Sequence, residues 1–137
     1  MLTRFYELGP LQIAVMKALW RRGPSSVFEV MGLLPQISEK NYAYTTVLTV
    51  LRNLEVRGLV GHEVCEGRRN FVYFSKFSQE EARRLAVEEL MNDLFEHSSP
   101  LFCHYLIQEY PLEQEEISEL QESLEMRAST ISVSGQD

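Results

Sequence analysis

The chain has 137 residues, 45% hydrophobic and 24% charged, the balance of one folded soluble unit with room for a helical extension. No window holds the roughly 18 consecutive apolar residues of a membrane helix, and the N-terminus lacks a basic-then-apolar leader, so the expectation is a cytoplasmic protein with no membrane insertion. The net charge of −7 hides an asymmetry: residues 1–77 carry ten basic and six acidic side chains, residues 78–137 three basic and fourteen acidic, so a polyanion is admitted by the first part and excluded from the second.

Leu11, Ala14, Val15, Ala18 and Leu19 follow the i, i+3, i+4, i+7, i+8 spacing of a helical face. Pro10 suits the first turn of that helix, and Gly23-Pro24 ends it. Ser26 with Glu29 forms a capping box for a second helix, whose stripe is Val27, Val30, Met31 and Leu34. Pro35 is expected to stop that helix, leaving a loop over 36–42 with a cap at Asn41. A third helix is predicted from Ala43 to Arg57, closed by Gly58, with Val47, Val50, Leu51 and Leu54 buried.

The period then changes. Leu59–Glu66 and Asn70–Lys76, rich in Val, Phe and Tyr, flank Gly67-Arg68-Arg69 and read as a β-hairpin with a charged tip. Three short helices and one hairpin are the order of a winged helix-turn-helix. Ser78 opens a fourth helix, with Glu80 and Glu81 in its first turn and Val87, Leu90, Met91, Leu94 and Phe95 as its stripe. After Ser98-Ser99-Pro100, a helix carrying Leu101, Phe102, Tyr105, Leu106 and Tyr110 is apolar around much of its circumference. Pro111 precedes a last helix with Ile117, Leu120 and Leu124 on one side. Residues 128–137 lack a period and are expected to be a frayed, disordered tail. The expected fold class is therefore mainly α. A winged helix-turn-helix (1–77) is followed by a helical region (78–127) and the tail (128–137).

The third helix carries the most telling chemistry. At about 100° per residue, Thr45, Thr46, Thr49, Arg52 and Asn53 fill an arc of about 120°, opposite the apolar stripe. Arg can bond guanine, Asn adenine, and Thr offers a hydroxyl or a methyl, which is what reading the major groove requires. Three threonines in five residues are poor helix formers, so helix stability alone does not explain them. Arg68 and Arg69 at the hairpin tip suit phosphate contact. Ser26 could add a phosphate contact through a helix N-terminus.

LGPLQIAVMKALWRRGPSSVFEV and AYTTVLTVLRNLEVRGLVGHEVCEGRRNFVY together resemble the penicillinase-repressor (BlaI/MecI type) family over roughly residues 7–76. EEISELQESL fits the family's last helix. The resemblance implies a transcriptional repressor that binds palindromic double-stranded operator DNA as a homodimer. It places base reading on Ala43–Arg57 and the partner subunit on the C-terminal helices. The dimerisation surface is then Val87, Leu90, Met91, Leu94, Phe95, Phe102, Leu106, Ile117 and Leu120, apolar area beyond what a thin three-helix core can cover. The resemblance also implies release by cleavage near Tyr105 and Leu106, triggered by a membrane sensor metalloprotease or a protease acting downstream of it. The Asn-Phe pair cut in the best-known members is missing here, as are the paired C-x-C motifs of copper-responsive relatives.

Two alternatives stay open: a winged helix used for protein contacts, and a metal- or redox-responsive regulator using Cys65 and Cys103. His62 and Cys65 on a strand, and Cys103-His104 on a helix, have donor types that suit Zn²⁺ or Cu⁺, but adjacent helical residues point apart. No metal or other cofactor is expected. An enzyme is not expected either, because no nucleophile–base pair or phosphate-binding glycine loop occurs.

Overall fold

A computed structural model describes residues 4–65, 67 and 71–134. Its elements are a short 3₁₀ turn (Phe5–Glu7), α1 (Pro10–Arg22), α2 (Val27–Ser38), α3 (Tyr44–Val56), β1 (Val60–Val64), β2 (Phe71–Ser75), α4 (Gln79–Asp93), α5 (Ser99–Glu109) and α6 (Gln114–Ser134). The fold is mainly helical with one antiparallel hairpin. One compact unit ends at Leu94 and a second begins at Phe95.

The first unit is built on the stripes the sequence announces. Val15 and Met16 of α1, Val30 and Leu34 of α2, and Val47, Leu51 and Leu54 of α3 are all fully buried. Each contributes about 1.5–3 kcal/mol relative to exposure. α1 ends at Gly23, whose φ of 90° is open to glycine at no steric cost. α2 is capped as expected: the Glu29 amide donates to Ser26 Oγ at 3.2 Å, and the Ser26 amide donates to the Glu29 carboxylate at 3.0 Å.

Pro35 does not stop α2; the helix continues to Ser38. Proline removes its own donor, the one that would reach the Met31 carbonyl, and its ring crowds that carbonyl. The turn is held anyway, because Leu34 is buried and Ile37 packs on the core. The Ser38 hydroxyl donates to the Leu34 carbonyl at 2.9 Å, and the Glu39 amide donates to the Pro35 carbonyl at 3.1 Å. The cap of α3 is Ala43, not Asn41, and no side chain bonds there.

The hairpin pairs Val60 with Ser75 through Val64 with Phe71. The end of the Phe74 ring lies over Gly61, where an added Cβ would come within 2.7 Å of it. The hairpin is anchored twice. Ser25 and Tyr73 exchange two backbone hydrogen bonds of 2.8 Å, adding a one-residue third strand. The Trp20 indole N–H of α1 reaches the Phe77 carbonyl at 2.9 Å and Ser75 Oγ at 3.1 Å.

α4 begins with the expected Ser78 cap, bonded by the Glu81 amide at 3.0 Å. It ends at Asp93, so Leu94 is its cap and Phe95 lies beyond it, followed by Glu96 and His97 at positive φ. The face it turns to the rest of the first unit is Ala82, Leu85, Ala86 and Glu89 rather than the stripe of Val87, Leu90, Met91 and Leu94. The 3₁₀ turn holds it there. The Phe5 amide donates to Glu89 Oε2 at 2.8 Å, Tyr6 Oη donates to Asp93 at 2.6 Å, and Arg4 pairs with Asp93 at 3.2 Å. Burial pushes the Glu89 carboxyl above its ordinary range, against the pull of the Phe5 amide and Arg4.

In the second unit, Phe95 packs edge-on against Phe102, with ring centroids 5.1 Å apart, and lies near Tyr105 at 6.1 Å. α6 runs to Ser134, beyond the boundary at 127 drawn from periodicity. The helix needs no apolar stripe to continue there: its backbone bonds are internal, and the Thr130 hydroxyl donates to the Met126 carbonyl at 3.0 Å. Among the described residues, no helix is long and apolar enough to cross a membrane.

Candidate nucleic-acid interface

α3 is split lengthwise. Val47, Leu51 and Leu54 lose all contact with solvent, while Thr45, Thr46, Thr49, Arg52 and Asn53 are all exposed. The periodicity that buries one face therefore presents the other as hydroxyls, one amide and one guanidinium. The Thr49 hydroxyl donates to the Thr45 carbonyl one turn back, at 2.8 Å. Its proton is committed, which leaves its oxygen as an acceptor and its methyl as an apolar contact.

Arg52 stands where α3 meets the hairpin. Burial pushes the Tyr73 hydroxyl above its ordinary value and Glu55 adds to the rise; the positive charge of the nearby Arg52 guanidinium works the other way. Next to it, Glu55 of α3 and His62 of β1 are joined at 2.5 Å through His62 Nδ1. The His62 ring lies 4.8 Å from Phe71 and 5.7 Å from Tyr73. One end of the exposed face is thus tied to the base of the hairpin.

Ser26 is half-buried, with its amide and its hydroxyl oxygen both engaged by Glu29. Arg22 forms an ion pair with the same carboxylate. The N-terminus of α2 therefore already has an anion, supplied by its own chain, and Ser26 itself has only its hydroxyl proton left to offer. Arg68 and Arg69 lie outside the described residues. Periodicity alone missed Phe28, Tyr44 and Phe71, exposed aromatic residues gathered beside α3. The signal was present in the sequence: an aromatic at position 28, off the stripe of Val27, Val30 and Leu34, has no core to enter.

In the second unit, a groove of about 360 Å³ brings Leu106 and Leu120 together with Tyr110 and Leu112. Tyr105 and Leu106 are exposed on α5, and Leu120 on α6, while Phe102 and Ile117 are half-buried. On α4, Val87 and Leu94 are exposed, and Leu90 and Met91 are half-buried. Cys65 belongs to the first unit and is half-buried; Cys103 belongs to the second and is exposed. Among the described residues, no three of His, Cys, Asp and Glu gather as a metal site.

A sequence model described as penicillinase repressor matches residues 8–126. No curated protein matches the chain. Among solved structures, the transcriptional regulator Tm0710 of Thermotoga maritima is similar at a TM-score of 0.50 and 17% identity, over 96% of this chain and 82% of that one. BpsR of Bordetella bronchiseptica, whose DNA binding is regulated by 6-hydroxynicotinic acid, gives 0.47 and 18%, over 92% and 83%. A MarR family protein of Bacillus stearothermophilus gives 0.47 and 17%, over 93% and 77%. At such identity the likeness to the Thermotoga protein is one of fold.

Proposed function

Because the chain belongs to the penicillinase repressor family of DNA-binding transcriptional regulators, we propose that it is a sequence-specific repressor that grips a palindromic operator as a homodimer. α3 is its reading helix. The observation that carries this reading is the lengthwise split of α3: an exposed arc of Thr45, Thr46, Thr49, Arg52 and Asn53 on a helix whose opposite side is fully buried. Arginine, asparagine and threonine side chains provide the donors, acceptors and methyls that match base edges. Arg68 and Arg69, which lie between β1 and β2 in the sequence, contact phosphate under this proposal, which positions the protein and makes binding salt-dependent.

One such module touches few bases, so two half-sites held by a dimer raise specificity. The apolar residues left uncovered on α4 supply one surface for the partner copy, and the groove of Leu106 and Leu120 supplies another. An inducing signal that breaks the second unit, such as cleavage on α5 near Tyr105 and Leu106 by a sensor-triggered protease, separates the half-sites and releases the DNA.

The test is selection of operator DNA from a random pool, followed by affinity measurements. Arg52→Ala and Thr46→Ala should each weaken binding to the selected operator roughly 5- to 150-fold, the span of about 1–3 kcal/mol per specific base contact. Arg68→Ala should weaken all sequences alike and lower the salt slope by about one phosphate. Unchanged affinity in the first two variants would remove α3 as the reading helix. A selection that enriches no sequence would favour a protein-binding winged helix.

A further inference from the structure

The exposed aromatic residues of the first unit share one place. Tyr44, Leu48 and Arg52 follow each other at i, i+4 and i+8, a single row along the flank of α3. Phe28 of α2 and Phe71 of β2 face that row, and together they line a notch of about 160 Å³. Phe28 is 65% exposed, Phe71 42% and Tyr44 39%. The Phe28 and Tyr44 rings lie 4.7 Å apart, tilted by 44°. None of the three belongs to the core. A cluster of exposed apolar side chains rimmed by polar ones marks an interaction surface.

Position and size select the occupant. The row begins at Tyr44, directly before Thr45 and Thr46, and ends at Arg52, so it is continuous with the proposed base-reading face. The notch is too small for a helix or strand of a protein partner, and Arg52, one of the proposed base-reading residues, lines its end. In the major groove one base edge is apolar: thymine, through its C5-methyl group, which aromatic and aliphatic side chains recognise without a hydrogen bond. We infer that this notch receives the C5-methyl of one thymine in each operator half-site, with Phe28, Tyr44 and Leu48 as its walls. The inference rests on α3 being the reading helix.

The experiment replaces each thymine of the selected operator, one at a time, by deoxyuridine, which removes the methyl and leaves every hydrogen-bonding group. The wild-type chain should lose about fourfold in affinity at one thymine per half-site, the worth of burying one methyl-sized group. Phe28→Ala should bind the thymine operator about as weakly as the wild type binds the uracil one, and should no longer distinguish them. Phe28 is mostly exposed, so this variant should keep its helical circular dichroism; the wild-type scan decides without it if it does not. A flat uracil scan on an enriched operator overturns this inference and leaves the reading helix standing. The same follows from a sensitive thymine whose sensitivity survives both Phe28→Ala and Tyr44→Ala. A selection that enriches no sequence overturns the reading helix and the methyl notch together.

Discussion

Among the described residues, Glu89 is the buried acid of the first unit, 8% exposed. Its folded carboxyl is raised above its ordinary range, chiefly by burial, with Asp93 and Glu7 adding to the rise. The folded chain therefore holds this proton more tightly than the unfolded chain does. Stability falls as pH climbs through the raised value, and the loss is complete once the carboxylate is ionised in both states. Glu89→Gln keeps an oxygen for the Phe5 amide and carries no charge. In urea unfolding it should exceed the wild type at neutral pH, with the gap closing as pH falls into the ordinary carboxylate range. A variant less stable than the wild type at neutral pH would show that the Arg4 and Phe5 partners outweigh burial. Trp20 tests the hairpin anchor in the same way. Trp20→Phe keeps a ring on α1 but removes the donor to the Phe77 carbonyl and Ser75 Oγ, and should cost about 1–2 kcal/mol. A loss well below that range would mean the indole donor is replaced by water.

Among the elements, α2 shows how a local rule yields to packing. Pro35 sits inside the helix because Leu34 and Ile37 gain more from the core than the missing donor costs. Pro35→Ala restores a bond to the Met31 carbonyl and should raise stability by about 1 kcal/mol, less than the full cost of an interior proline because the unfolded chain gains freedom. Calorimetry showing a lower melting temperature would overturn that. The sequence made α1, the core of α3, the Ser26 and Ser78 caps and the hairpin legible, because in each of them apolar period and turn chemistry agree. The exposed arc of Thr45, Thr46, Thr49, Arg52 and Asn53 was legible for the same reason: a buried stripe dictates what its opposite side shows. The face of α4 was not. Its apolar stripe of Val87, Leu90, Met91 and Leu94 was read as a surface for a partner copy, which says nothing of the docked side: that side uses Ala82, Leu85, Ala86 and a carboxylate, which a backbone amide from a distant 3₁₀ turn satisfies. No period encodes a partner brought from the other end of the chain. The aromatic notch is likewise a tertiary product, with one wall each from α2, α3 and β2.

At the scale of the whole molecule, basic side chains lie mostly before residue 78 and acidic ones mostly after it. The acidic half carries the groove of Leu106 and Leu120, and under the proposed function it holds a second copy. Leu120→Glu adds a charge to that groove. Sedimentation should then show monomers, and affinity for the full palindrome should drop more than tenfold while affinity for a half-site is kept. An intact dimer in this variant would move the interface elsewhere. The pairing of Ser25 with Tyr73 has a consequence for how the chain comes to its fold. An isolated two-stranded hairpin is marginal in water, and this one gains its third strand only from the turn between α1 and α2. The expected order of events is helices first and hairpin last, because a long loop must close before the pairing with Ser25 is rewarded. Hydrogen exchange should mark this order. The Tyr73 amide, bonded to the Ser25 carbonyl, should exchange only when the helices come apart.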